Sequence, residues 1–220
     1  MSHLRSNSSA AGIVALQRLG RAAAAPAAEL CELCNIPLPP EHRHLLETDR
    51  RRIVCACDAC ATCFQAVVGG RYHLIPRDVR KLSDFSLTTE QWESLALPID
   101  LAFFFYHTPA RRVIALYPGP AGAVESLLPM VTWQDLVAGN PILADMEPDV
   151  EALVVRRIGP EPLYYLAPID ACYRLTGLIR VHWRGFAGGL EVWREIDDYF
   201  RELDRLAIDV IPARQEAAYA

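Results

Sequence analysis

The chain has 220 residues, of which 52% are apolar, enough to bury a sizeable core. Its formal net charge of −5 argues against nucleic acid as the main partner, because such binding is dominated by neutralisation of phosphates. No stretch is long and apolar enough to span a bilayer, residues 101–106 being far too short.

Residues 1–28 carry a lone Arg5 and a short apolar run, residues 10–16, interrupted by Gln17 and Arg18. A secretory leader keeps its apolar stretch unbroken, so this reads as a flexible N-terminal segment of a cytosolic protein. Six of the seven cysteines then fall within 33 positions. The first pair is Cys31-Glu-Leu-Cys34, followed by Asn35, a residue that tolerates left-handed backbone angles. Twenty residues later comes Cys55-Ala-Cys57-Asp-Ala-Cys60-Ala-Thr-Cys63, with two overlapping C-x-x-C pairs. Two such pairs at this separation are the spacing of a four-thiolate metal site. Disulfides are the competing reading, but a chain of this size in a reducing compartment more often uses clustered thiols for metal or redox chemistry.

Between the cysteine groups, Thr48-Asp-Arg50 can turn the chain between two strand-like stretches, residues 42–47 and 51–57. A hairpin bracketed by C-x-x-C turns is the layout of a zinc ribbon or a rubredoxin-like site, whose sulfur cage suits zinc or a single iron. The preferred ligands are Cys31, Cys34, Cys57 and Cys60, with Cys60 and Cys63 nearly as good a second pair. Cys57-x-x-Cys60-x-x-Cys63 also begins a [4Fe–4S] run, with a fourth thiolate from Cys31, Cys34 or Cys55. That option ranks second, and Phe64 stands where a ferredoxin usually has proline. His42 and His44 would face one side of a strand, and either could replace a thiolate. The bland alternative is a pair of solvated histidines on a charged hairpin.

The expected organisation is a metal-binding module at 29–70, a linker at 71–84, an α+β domain at 85–206 and a tail at 207–220. Thr88-Thr-Glu-Gln91 is a helix-starting capping pattern that places Trp92, Leu95 and Ala96 on one face. Residues 101–106 and 112–117 read as a buried hairpin turning at Thr108-Pro-Ala-Arg111. Thr132-Trp-Gln-Asp135 is a second capping box, before a short helix stopped at Gly139-Asn-Pro141. Residues 151–158 and 162–166 form a second strand pair. Two helices follow, at 169–183 and 191–206, the latter with Val192, Ile196, Tyr199, Phe200 and Leu203 on one stripe. Strand pairs alternating with helices, without regular crossovers, predict α+β with an antiparallel sheet.

Several residues here invite a catalytic reading. Pro118-Gly119-Pro-Ala-Gly122 follows a strand and could cradle a phosphate, but it lacks a P-loop ending, and a tight strand-to-helix turn is the simpler reading. Cys172 with His107 or His182 would make a nucleophile and base, although Cys172 lies on an apolar helical stripe. Arg180-Val-His182-Trp-Arg184 could bind an anion or could be a solvated helix end. Glu191, Glu195, Asp197, Asp198, Glu202 and Asp204 read as a solvated acidic face. The basic run Arg50-Arg51-Arg52 at the hairpin tip is the one local cationic feature.

Cys31-Glu-Leu-Cys34, His42-Arg-His44-Leu-Leu46, Arg51-Arg52-Ile-Val-Cys55-Ala-Cys57 and Cys60 resemble the opening of a bacterial cysteine-motif family of unassigned activity. The resemblance continues through Leu101-Ala-Phe-Phe-Phe105, Tyr117-Pro-Gly-Pro-Ala-Gly122-Ala-Val-Glu-Ser126 and Asn140-Pro141. It extends into Pro148-Asp-Val-Glu-Ala152-Leu, Pro168-Ile-Asp-Ala-Cys-Tyr-Arg-Leu175 and Trp183-Arg-Gly-Phe-Ala-Gly188-Gly. Genes of that family are often found beside those of nickel–iron hydrogenases. The resemblance therefore implies a cytosolic accessory protein with a hydrogenase subunit as partner, acting in maturation, assembly or electron handling. Two other readings stand beside it: a rubredoxin-like electron carrier, and a small-molecule-binding or catalytic protein using the Gly119 to Gly122 loop.

Overall fold

Between the two cysteine groups the chain folds as a hairpin. Strands β1 (Arg43–Glu47) and β2 (Arg52–Ala56) pair antiparallel across a 3-10 turn at Thr48–Arg50. Strand alternation gives this hairpin two faces. On one, Leu45, Val54 and Ala56 meet Ala61 of helix α1 (Asp58–Gln65) in a small core. On the other, Leu46 and Ile53 join the main core of the protein. β3 (Tyr72–Leu74) pairs with the free edge of β1, completing a three-stranded antiparallel sheet. The computed structural model describes residues 28–65, 70–126, 130–185 and 188–210. The expectations for the N-terminal segment and for residues 211–220 lie outside these.

The second sheet has seven strands in the order β10-β4-β9-β8-β5-β6-β7. Its members are β4 (Arg80–Lys81), β5 (Leu101–His107), β6 (Arg112–Gly119), β7 (Gly122–Ser126), β8 (Glu151–Arg156), β9 (Leu163–Pro168) and β10 (Ile208–Asp209). All pairings are antiparallel except β10 with β4. Both faces of the central strands are covered, which is why β5 is a nearly continuous apolar run. Leu101, Phe103 and Phe105 face helices α4 (Ile169–His182) and α5 (Gly189–Leu206). Ala102 and Phe104 face α2 (Thr89–Ser94), α3 (Met130–Gly139) and the 3-10 turn Pro141–Asp145. The architecture is mixed α+β with antiparallel sheets, as the alternation of strand pairs and helices predicts.

Four expectations change in detail. Residues 71–84, expected as a linker, supply β3 to the small sheet and β4 to the large one, so the two sheets are stitched together by strands. In the expected tail, Ile208 and Asp209 pair with Arg80 and Lys81. The Gly119 to Gly122 loop joins β6 to β7, its two glycines directly opposed in register, so it is a strand-to-strand turn. The turn expected there is formed, but it leads into a strand rather than a helix. Finally, α3 begins two residues before Thr132, which places that threonine inside the helix rather than at its cap. The Thr88 capping box does form, with the Thr88 hydroxyl accepting from the Gln91 amide at 3.2 Å and the Gln91 side chain accepting from the Thr88 amide at 2.9 Å.

Candidate metal centre

The first cysteine pair lies in a tight turn. The Asn35 amide donates to the Cys31 carbonyl at 2.7 Å, and Asn35 adopts a φ of 62°, the left-handed conformation its side chain tolerates. The second pair uses the start of α1. Cys57 occupies the N-cap position, its carbonyl accepting from Ala61 at 2.9 Å and its sulfur accepting from the Cys60 amide at 3.4 Å. The Cys57 amide in turn donates to the Cys31 sulfur at 3.4 Å. Amides directed at sulfurs favour thiolates over thiols.

The sulfurs of Cys31, Cys34, Cys57 and Cys60 all lie within 4.8 Å of one another. All seven cysteines are free, so no disulfide competes. A tetrahedral site with metal–sulfur bonds of about 2.3 Å has sulfur–sulfur edges of about 3.8 Å. Cys34 and Cys57 are 3.7 Å apart, the edge of such a tetrahedron. The donor set therefore fits a single metal ion, and the residues that could hold it are the four preferred from spacing.

The acid–base chemistry of these thiols points the same way. Burial opposes ionisation of Cys31, yet the amides of Cys57, Leu33 and Cys34 bring its pKa down to about 6. The Ile36 amide favours a thiolate at Cys34, but the Cys31 sulfur, burial and the Cys57 sulfur together outweigh it and raise that pKa. Burial and the sulfurs of Cys34, Cys57 and Cys31 push Cys60 far above the ordinary thiol range. Without a cation, like charges this close resist joint ionisation; a divalent ion removes the conflict.

The alternate ligands separate into two groups. Cys63 is exposed on α1 and is not part of the four-sulfur cluster. His42, His44 and Cys55 form a cluster of their own, with ligand atoms within 4.8 Å of one another. The Cys55 pKa is raised by burial and then by the negative charges of Glu29, Glu32 and Cys31. His44 Nδ1 reaches Asp170 of α4 at 2.7 Å, a contact spanning 126 positions that no local pattern could reveal.

The basic hairpin tip is largely neutralised within the molecule. Glu47, only 1% exposed, accepts from Arg52 Nε at 3.1 Å and Arg71 Nε at 2.8 Å, with Arg50 Nε at 3.3 Å. Burial disfavours its charge, but the guanidiniums of Arg71 and Arg52 hold its carboxyl below the usual range. Arg51 pairs with Glu125 on β7 at 3.3 Å, and Arg52 also reaches Glu32 at 2.6 Å. Beside this knot, a cleft of about 480 Å³ is lined by residues including Asp49, Arg71, His73 and Thr108. Sequence reasoning missed Glu47 as the organiser, because its burial and its bond to Arg71, 24 positions away, are set by the fold.

In the body, the suggested nucleophile–base pairings are not assembled. Cys172 is fully enclosed in the main core, and burial drives its pKa far upward. His107 instead bonds Asp149 at 3.1 Å, and His182 bonds Glu191 at 3.1 Å. Arg184 donates to the carbonyls of Val181 and Trp183, capping the end of α4. The acidic face of α5 is partly paired, Asp204 with Lys81 and Glu202 with Arg174. Among the described residues, no helix is long and apolar enough to cross a membrane.

The model of a family of unknown function, DUF5947, matches residues 30–207, which take in the four-cysteine cage, the small sheet and every strand of the large sheet except β10. No curated protein and no solved structure matches the chain. With most of its length covered by that one match, the chain belongs to the family of unknown function DUF5947.

Proposed function

We propose that Cys31, Cys34, Cys57 and Cys60 bind one structural metal ion, zinc or a single iron, and that the module so stiffened is a docking element. The observation that carries this reading is the sulfur cage, with its 3.7 Å edge and its amide-to-sulfur bonds. A closed four-ligand site leaves no open position for substrate, which favours a structural role. Sulfurs this close favour one ion over a cubane cluster, whose thiolates stand farther apart, and the antiparallel hairpin beside the cage supports a zinc-ribbon or rubredoxin-like assignment. Cys34 is exposed, with Leu30 and Ile36 about half exposed beside it, so the cage carries an apolar rim suited to a protein partner. The resemblance supplies the partner: a nickel–iron hydrogenase subunit, in the cytosol, during maturation or assembly. An electron-carrier role is the second reading, favoured by that exposed sulfur if the ion is iron.

Metal analysis and a visible spectrum of protein purified without air separate the two ions, since zinc is colourless and ferric tetrathiolate strongly coloured. Full metal occupancy in both Cys31→Ser and Cys60→Ser would sink the ligand assignment. Deleting the gene in a host that carries the hydrogenase is expected to lower hydrogen uptake or leave the large subunit immature. Normal activity and processing in that deletion refute the hydrogenase role.

A further inference from the structure

The second cluster, His42, His44 and Cys55, has features that a pair of solvated histidines would lack. His44 and Cys55 are directly opposed in the β1–β2 register, and His42 lies two positions before His44, so all three share one side of the hairpin. That side carries Leu46 and Ile53 into the main core, so the cluster lies at the seam between the small sheet and α4. Each imidazole has its Nδ1 engaged: His42 to the Pro39 carbonyl at 3.0 Å, His44 to the Asp170 carboxylate at 2.7 Å. A proton held on Nδ1 leaves Nε2 of each ring with a free lone pair. The two rings meet edge to face with centroids 4.9 Å apart.

The His42 side chain is only 5% exposed, yet its Nε2 is buried with no hydrogen-bond partner. A buried polar atom in that state calls for a ligand or a bound water. Glu29 Oε2 lies 3.5 Å from that nitrogen without hydrogen bonding to it, on a side chain 65% exposed and free to adjust. Two imidazole nitrogens and a thiolate, with a carboxylate at hand, form a donor set for a tetrahedral divalent ion. The Asp170–His44 pair supplies the outer-shell carboxylate that commonly orients a metal-bound histidine.

We propose that His42, His44 and Cys55 form a second metal site, for one zinc-type divalent ion, with Glu29 as the adjustable fourth ligand and Asp170 as the positioning residue for His44. The ligands are distinct from the four cysteines of the first cage, so this site stands or falls separately from it. Its fourth position rests on a surface side chain, which makes it the exchangeable coordination position of the protein. Because Asp170 lies in the first turn of α4, an ion here also ties the small sheet to the body.

The test loads the full chain with Zn²⁺ or Co²⁺ without air, counts bound ions and follows the cobalt–thiolate absorption. The wild type is expected to bind two ions; Cys55→Ser and His44→Ala each leave one, and the double variant Cys31→Ser/Cys34→Ser also leaves one. Asp170→Asn is expected to weaken only the second ion, by about 10–100-fold, with the tetrathiolate absorption unchanged. Retained melting of the body shows that each variant is folded, and His42→Gln serves where Cys55→Ser does not fold. An ion lost in Cys31→Ser/Cys34→Ser, with the wild-type count retained in Cys55→Ser, His44→Ala and His42→Gln, overturns the second site and leaves the first. A wild type that binds a single ion, lost entirely in both sets of variants, indicates one mixed-ligand site and also overturns the proposal. An ion lost only in the Cys55 and histidine variants supports the second site and removes the first.

Discussion

The small sheet encloses Leu45, Val54, Ala56 and Ala61, whereas the seven-stranded sheet is buried on both faces by helices and aromatic side chains. Ordering each residue costs roughly 1–2 kcal/mol of backbone entropy, which four modest side chains cannot offset for a segment of this length. The body is held by apolar burial. The module depends on its thiol cage, on the arginines gathered round Glu47, and on Leu46, Ile53 and Ile75 leaning into the neighbouring core. A cysteine-rich module of this kind therefore reads as a passenger that the body positions and that an ion in the proposed site would shape.

The sharpest way to break the comparison is to strip the metal. Tetrathiolate zinc contributes on the order of 10 kcal/mol in small domains, comparable with the whole stability of one. Chelation should abolish hydrogen-exchange protection at Leu45 and Val54 while Phe104 and Leu153 stay protected and a cooperative melt survives. Complete loss of that melt would show that the two regions are one cooperative unit. The reciprocal experiment removes a body core residue. Phe104 is fully buried and stacked on Trp133, so Phe104→Ala should cost about 3–5 kcal/mol and lower the main melting transition, with metal stoichiometry unchanged.

Glu47→Gln tests the charge knot. Removing this anion leaves Arg50, Arg52 and Arg71 crowded without their shared partner, so the module should loosen at neutral pH. The folded-state pKa of Glu47 is depressed, so its stabilisation is complete above the ordinary glutamate range and fades as pH falls through the lower folded value. Acid unfolding of the wild type should therefore take up about one proton more than the variant, measured by potentiometric titration. The smallest effect is expected at Thr88→Ala, which removes one half of a capping box and should cost about 1 kcal/mol, read as a modest shift in the body's melting temperature alone.

What local chemistry could determine, the sequence determined. Cysteine spacing selected the four residues that meet in the cage, and the threonine–glutamine pair at Thr88 and Gln91 marked a helix start. The apolar stripe of α5, Val192, Ile196, Tyr199, Phe200 and Leu203, is buried as its helical period requires. Each of these is written within a window of a few residues, where the backbone period and turn chemistry decide. The Gly119 to Gly122 loop shows the limit, since glycine and proline specify a turn but not whether a strand or a helix follows. Only the tertiary structure decided that Asp170 would meet His44, that Glu125 would meet Arg51, and that residues 80–81 and 208–209 would pair as neighbours. Those contacts depend on strand order and on which face of the hairpin meets α4, and no local spacing encodes the order in which distant strands assemble.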